Sequence, residues 1–233
     1  MKRGKRYREL ITKYKKDKEY EIEEALKLTK SLATAKFDET IELAMNMNLD
    51  PTKSEQKIRG TVSLPHGIGK KIRVIVFAKG EKEKEAKESG ADYVGAEDLI
   101  EKIMKEGWTD FDVAIAPPDM MKEVGKLGKI LGPRGLMPNP KTGTVTFEIK
   151  EAVKEFKAGK IEINVDKFSN IHLPIGKASF TEDKLQDNLI TTLETVLRMK
   201  PATVKGAYIK SITLCSTMGP AVKIKVSELK KVA

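Results

Sequence analysis

The sequence predicts α/β and α+β structure in two domains, one nested inside the other. The outer one is a discontinuous α+β terminal domain, an antiparallel sheet with helices, drawn from residues 1–66 and 160–233. The inner one, residues 67–159, is an inserted three-layer α/β/α Rossmann-like domain with a small parallel sheet. Three observations carry this. Both ends of the chain show strands that alternate apolar and polar at period two, the mark of half-buried antiparallel strands. The middle instead alternates short runs that are apolar on both faces with helical segments, which suits a parallel sheet covered by helices. Finally, residues 20–65 offer one helix and two strands, too little for a core of their own. The two connections between the domains, near 65–68 and 158–160, carry Gly67 and Gly159 and form an expected hinge.

The elements follow from local pattern. Residues 1–19 read as a basic arm. Ile22, Ala25, Leu28 and Leu32 recur at helical spacing. Ile41, Leu43, Met45, Met47 and Leu49 share one face of a strand from Thr40 to Leu49, stopped by Asp50-Pro51, and a second strand spans Ile58 to Leu64. In the middle, apolar runs at Ile72 to Ala78 and Phe111 to Ala116 frame a helix from Glu81 to Ser89, a short strand at Tyr93-Val94 and a helix from Glu97 to Lys105. A helical stretch from Val124 to Leu131, a strand from Thr144 to Phe147 and a helix from Lys150 to Lys157 complete it. Period two then returns at Ile161 to Val165, with a turn at Asp166 to Asn170 and a strand starting at Ile171. Leu185, Leu189, Leu193, Val196 and Leu197 line one side of a helix from Glu182 to Met199, with Thr181 in the N-cap position. Strands at Tyr208 to Leu214 and Val222 to Val226 close the sheet, and the tail from Ser227 to Ala233 reads as a frayed end.

Charge narrows the function. The 233 residues hold 44 Lys+Arg against 34 Asp+Glu, a formal net charge of +10. Nine of the ten net charges fall in residues 1–66 and 160–233, so a polyanionic partner would bind there. A heavily charged, heat-adapted surface is the bland alternative. The single cysteine, Cys215, excludes an intrachain disulfide and suits the cytosol. No apolar run approaches the roughly 20 residues of a membrane span, and the basic N-terminus lacks the apolar core of a secretory signal.

Catalytic groups are sparse. The two histidines, His66 and His172, have no second His or Cys at metal-ligand spacing, so neither a metal nor a cofactor is expected. Gly67-Ile68-Gly69-Lys70-Lys71 lacks the earlier glycine of a phosphate loop and precedes a strand rather than joining strand to helix. A nucleotide- or small-ligand-binding enzyme built on the inserted domain remains the competing reading. Aromatic residues are 6% of the chain, which argues against a base-stacking sheet platform.

The most distinctive stretch runs from Gly128 to Gly143, with four Gly and three Pro among basic and apolar residues. Such a segment cannot continue as helix or central strand and reads as a shaped loop. In residue order, this loop resembles the signature of the large-subunit ribosomal protein L-one family. The resemblance extends over the chain through Ala33 to Thr40, Arg59 to Gly67, Gly90 to Gly95, Gly176 to Phe180 and Ser216 to Pro220. It implies a non-catalytic protein of the cytoplasmic ribosome. That protein would bind a folded region of large-subunit ribosomal RNA at the mobile stalk, near tRNA at the exit site. It would repress its own operon's messenger RNA through a mimic of that site, and it would be a monomer when free.

The resemblance places RNA contacts at Lys36, Phe37 and Thr40, at Ser211, Thr217, Met218 and Gly219, and nearby at Asp166, Lys167 and His172. Residue chemistry then assigns roles. The hydroxyls of Thr40, Ser211 and Thr217 suit ribose 2′-OH groups, and Lys36 and Lys167 suit phosphates. Gly219 would let the backbone approach closely, and Met218 would offer an apolar contact. Phe37 would stack or brace its loop, with bracing favoured. Lys2, Arg3, Lys5, Arg6 and Arg8 would add auxiliary contacts. Gly132, Pro133, Arg134, Gly135 and Pro138 carry the family signature without an expected role.

Overall fold

The computed structural model describes residues 4–228. The chain divides into two compact units. One is built from the chain up to Gly69 together with the chain from Ile161 onward, the other from Lys70–Lys160. In chain order the first unit opens with helix α1 (Lys5–Thr12), strand β1 (Glu19–Tyr20), helix α2 (Ile22–Leu32), and strands β2 (Thr40–Met47) and β3 (Arg59–Ser63). The second unit contains β4 (Val74–Phe77), α3 (Glu81–Glu88), β5 (Tyr93–Gly95), α4 (Glu97–Glu106), β6 (Val113–Ile115), α5 (Met121–Val124), α6 (Gly128–Leu131) and α7 (Ile149–Ala158). The first unit resumes with β7 (Lys160–Asn164), β8 (Asn170–Lys177), α8 (Glu182–Arg198), β9 (Ile209–Ser216) and β10 (Val222–Ile224).

In the first unit a five-stranded sheet has the order β1-β10-β9-β2-β8. Strand β2 is central and pairs antiparallel with β8 and β9. The period-two pattern decides what each face does. Ile41, Leu43, Met45 and Met47 of β2 are fully buried and pack with Leu173, Ile212 and Leu214 in one core. Ala25 and Leu26 of α2 and Leu185, Leu189 and Leu193 of α8 join that core. Thr40, Glu42, Ala44 and Asn46 alternate with these residues and remain at least partly accessible. One face of the sheet is therefore covered by helices and the other is open.

The second unit is three-layered. Its parallel sheet, ordered β5-β4-β6, is apolar on both sides. Val74 and Val76 of β4 pack with Ala86 of α3 and Ile149, Val153 and Phe156 of α7. Ile75 and Phe77 pack with Ile100 and Ile103 of α4 and with Val124, Leu127 and Leu131. This is why β4 is a continuous apolar run rather than an alternating one.

Several local expectations are corrected. The basic arm contains α1, which Leu10 anchors in the core at 2% exposure while Tyr14 donates from its hydroxyl to the Ala221 carbonyl at 2.9 Å. Strand β1 pairs in parallel with β10, a long-range partnership that two residues cannot announce. The stretch from Val124 to Leu131 is not one helix. Two four-residue helices, α5 and α6, flank a 3-10 turn at Gly125–Leu127, because Gly125 and Gly128 weaken regular helix. Residues 144–147 form only a single parallel bridge, Val145 to Ala116. Thr181 sits at the α8 N-cap, but its side chain makes no capping bond. Strand β10 stops at Ile224, Val226–Glu228 is a 3-10 turn, and residues 229–233 lie outside the described residues.

Candidate RNA interface

The open sheet face in the first unit gathers most of the expected site residues. Thr40 begins β2, His172 lies on β8 and Ser211 on β9, all on the uncovered side. Asn46 of β2 stands opposite both Ser211 and Asn170. Its side-chain amide donates to Asn170 Oδ1 at 2.7 Å, tying that end of the face together. At the usual rise per residue, the Thr40 end and the Asn46 end lie roughly 20 Å apart. The expected residues therefore form two clusters at opposite ends of one surface.

The first cluster combines Lys36, Phe37 and Thr40 with Thr217, Met218 and Gly219. It is braced by acidic residues that the sequence reading did not single out. Glu39 is 1% exposed and grips both loops. Its Oε1 accepts the Ala35 N–H and its Oε2 the Met218 N–H, each at 2.8 Å. Burial pushes the Glu39 carboxyl up, but the N–H groups of Met218 and Ala35 outweigh it and hold the carboxyl below the usual carboxylate range. Asp38 clamps the same loop from outside, accepting from Ser179 N–H at 3.1 Å and Ser179 Oγ at 2.8 Å. Arg6, on α1, donates to the Met218 carbonyl at 2.8 Å and to Thr34 Oγ1 at 3.3 Å. One residue of the basic arm is thus part of the cluster's scaffold. Lys5 and Arg8 are exposed on the same helix, and Lys2 and Arg3 lie outside the described residues.

This bracing holds two large apolar side chains in water. Phe37 is 55% exposed and Met218 is 52% exposed. Phe37 therefore does not pack into its loop, contrary to the favoured expectation, because Glu39 and Asp38 already do the bracing. The hydroxyls are partly committed. Thr217 Oγ1 accepts from Thr40 N–H at 2.9 Å and donates to the Thr40 carbonyl at 3.3 Å, closing the end of the β2–β9 ladder. Thr40 Oγ1 accepts from Lys177 Nζ at 2.8 Å, which leaves its own proton for a partner. Gly219 is required internally as well. A Cβ there would lie 2.3 Å from Ser216 Oγ.

The second cluster surrounds the β7–β8 turn. Asp166 Oδ1 accepts from the N–H groups of Phe168 at 2.8 Å and Asn170 at 2.7 Å. Its Oδ2 lies 3.9 Å from His172 Nε2. Burial raises the Asp166 carboxyl, but the amide donors, led by Asn170, bring it below its ordinary value. Asp166 is therefore committed to shaping the turn, while Lys167 and His172 are exposed.

The remaining expected residues lie in the second unit. Gly132 and Pro133 follow α6, and Gly135 adopts φ +71°, the left-handed region that favours glycine. Leu136 N–H bonds the Leu131 carbonyl at 3.0 Å, ending α6. Pro138 is buried and Arg134 exposed. Asn139 organises the next turn. Its N–H donates to Thr144 Oγ1 at 2.7 Å, and its carbonyl accepts from Thr142 Oγ1 at 3.0 Å and Thr144 Oγ1 at 3.1 Å. The loop is thus a chain of fixed turns with an exposed arginine at its tip.

Among the described residues no group of three or more His, Cys, Asp or Glu could hold a metal ion. No described helix is long and apolar enough to cross a membrane.

The family described as ribosomal protein L1p/L10e matches residues 28–220, a span that contains both clusters and the loop. The chain belongs to this family. A protein named large ribosomal subunit protein uL1 from Thermosipho melanesiensis is 59% identical over 228 residues, covering 98% of each chain. Proteins of the same name from Thermosipho africanus and Fervidobacterium nodosum are 57% and 58% identical, over 98% of this chain and 98% and 97% of theirs. This L1p/L10e family is one of structural ribosomal proteins, not of enzymes.

Proposed function

We propose that this protein is a structural constituent of the large ribosomal subunit in the cytoplasmic ribosome. It binds a folded region of large-subunit ribosomal RNA at the mobile stalk through the open sheet face of its first unit. The observation that carries this reading is the pair of pre-formed clusters at the two ends of that face. Exposed Phe37, Met218, Lys36 and Lys167 surround hydroxyls on a surface whose loops are already fixed, in the part of the chain holding nine of its ten net charges. Fixed loops lose little entropy on binding. Thr40, Ser211 and Thr217 meet ribose hydroxyls, and the lysines meet phosphates.

The same surface binds a mimic of the site on the protein's own operon messenger and represses its translation. The unit spanning Lys70–Lys160 faces tRNA at the exit site. The hinge sits close to the two crossings between the units. Asn188 narrows the first crossing. It is buried, accepts from His66 N–H at 3.1 Å, and donates to the carbonyls of Gly67 at 3.0 Å and Ile175 at 2.8 Å. Residues 65–67 are therefore held by the first unit, and the pivot falls just after them. One lysine of the second unit bears on the competing enzyme reading. Lys79, beyond the end of β4, is engaged by Glu97 at 2.7 Å and Glu123 at 3.0 Å.

The test is a salt titration of binding to a ribosomal stalk RNA fragment and to an unrelated duplex RNA of equal length. Preference for the stalk fragment at every salt concentration is the expected result. Equal affinities that fall together with salt would reduce the surface to a nonspecific basic one.

A further inference from the structure

Phe168 is the most exposed large hydrophobic side chain described, at 81%. Leaving a phenylalanine in water forgoes the favourable burial of its ring. A mobile loop tip would make this unremarkable, but the backbone beneath it is fixed. Phe168 N–H is held by Asp166 Oδ1 at 2.8 Å, and Asp166 N–H bonds the Asn170 carbonyl at 2.9 Å. The next residue, Ser169, is buried in the left-handed region at φ 62°. Ser169 Oγ donates to the Leu49 carbonyl at 2.7 Å, and its carbonyl accepts from Met47 N–H at 2.8 Å. Asp166, Ser169 and Asn170 thus hold the turn on either side of Phe168 while its ring stands in water.

Its position adds the second argument. The turn lies at the Asn46–Asn170–Ser211 end of the open face, beside exposed Lys167. The opposite end presents exposed Phe37 and Met218. Each end of one hydroxyl-bearing surface thus shows an aromatic ring next to a lysine, Lys36-Phe37 at one and Lys167-Phe168 at the other. A base face stacked on an aromatic ring, with a cation beside the adjoining phosphate, is the usual chemistry for an unpaired nucleotide.

We infer that Phe168 is an RNA-stacking residue, receiving an unpaired base of the RNA that lies across the open face. Its rigid turn presents the ring, and Lys167 takes the neighbouring phosphate. The inference rests on the RNA-binding reading above and extends it to a contact with a base.

The test compares the wild-type full chain with Phe168→Ala, Phe168→Leu and Phe168→Trp, using a ribosomal stalk RNA fragment and an unrelated duplex of equal length. Circular dichroism confirms that each variant is folded; the hydrogen bonds of the turn are made by its backbone and by Asp166 and Ser169. Phe168→Ala and Phe168→Leu are expected to weaken stalk binding about five- to a hundredfold, and Phe168→Trp to retain it. The slope of affinity against salt should stay unchanged in all three, whereas Lys167→Ala should reduce it by about one. Wild-type selectivity with full affinity in Phe168→Ala overturns the inference and leaves the RNA reading standing. Full affinity in Phe168→Leu overturns stacking. A wild-type protein that does not distinguish the two RNAs overturns both.

Discussion

Glu39 Oε2 accepts the Met218 N–H at 2.8 Å across 179 residues of sequence, and the same carboxylate holds Ala35 through its other oxygen. One buried side chain thereby fixes the spacing between the loop bearing Lys36 and Phe37 and the loop bearing Met218 and Gly219.

Replacing Glu39 with Gln should therefore affect both stability and binding. An amide has one acceptor oxygen and would turn an N–H donor toward one of the two backbone N–H groups. A loss of about 1–3 kcal/mol in unfolding free energy is expected, with weaker RNA binding. Denaturant unfolding and an RNA titration measure the two. Unchanged values in both would show that the carboxylate is not the brace.

Acid should act through the same group. Glu39 has its carboxyl held below its ordinary value of 4.5, and Asp92 and Asp112 lie below 3.8. Between the unfolded and folded values the unfolded chain binds more protons, so acid favours unfolding there. The stabilisation from these groups is complete above pH 4.5 and drains away as pH falls through their folded values. In Glu39→Gln the acid limb of the stability profile should be shallower. An identical limb would assign acid sensitivity to other carboxylates.

Gly219 and Ser216 should be coupled. An added Cβ at 219 would meet Ser216 Oγ at 2.3 Å but Ser216 Cβ at 3.5 Å, an ordinary contact. Gly219→Ala alone is expected to cost about 1–3 kcal/mol, and adding Ser216→Ala should recover most of it. A double-mutant cycle reads the coupling; additive losses would mean that the backbone, not the hydroxyl, rejects the side chain.

Tyr208 Oη is buried with no hydrogen-bond partner among the described residues, and burial pushes the phenol up to about 12. The unfolded phenol ionises near 10 while the folded one resists. Its contribution is therefore full below pH 10 and declines as pH rises toward 12. Tyr208→Phe should be neutral or slightly stabilising at pH 7, and it should flatten the stability profile between pH 10 and 12. A loss above 1 kcal/mol at pH 7 would mean that the hydroxyl has a bonding partner.

A chain in which residues 71–159 are replaced by a short Gly/Ser join should fold and keep its RNA affinity, because Phe37, Thr217 and Phe168 all belong to the other unit. Loss of binding in a folded deletion protein would place part of the RNA surface between Lys70 and Lys160.

Much of the fold was legible because its strands differ in kind. Ile41, Leu43, Met45 and Met47 announce one buried face, and Val74 to Phe77 announce two. What stayed hidden depends on distant partners. Glu19 and Tyr20 become a strand only because Lys223 and Ile224 lie beside them. Leu10 gives one apolar signal in a basic segment, too little to reveal α1. In the site, Lys36, Phe37, Thr217 and Met218 were named through a family resemblance. Glu39 carried no local signal, because an acidic residue before a strand is ordinarily solvated. Only the return of β9 beside β2 buries it. Thr144 to Phe147 had the composition of a strand, but Asn139 and Thr142 engage Thr144 from the preceding turn.

The sheet order has a consequence for how the protein is made. Strand β2 is finished at Met47, but its neighbours β8 and β9 begin only at Asn170 and Ile209. At roughly 5–20 residues per second, the wait from Met47 to the end of β9 at Ser216 lasts roughly 8–35 s. Until Asn170 is made, the apolar stripe of β2 has neither strand that will flank it, and until Ser216 it lacks a complete β9, whereas the sequence from Lys70–Lys160 emerges uninterrupted. The earliest part of the chain is thus among the last to be completed, and a nascent-chain chaperone would have its longest opportunity at Ile41 to Met47.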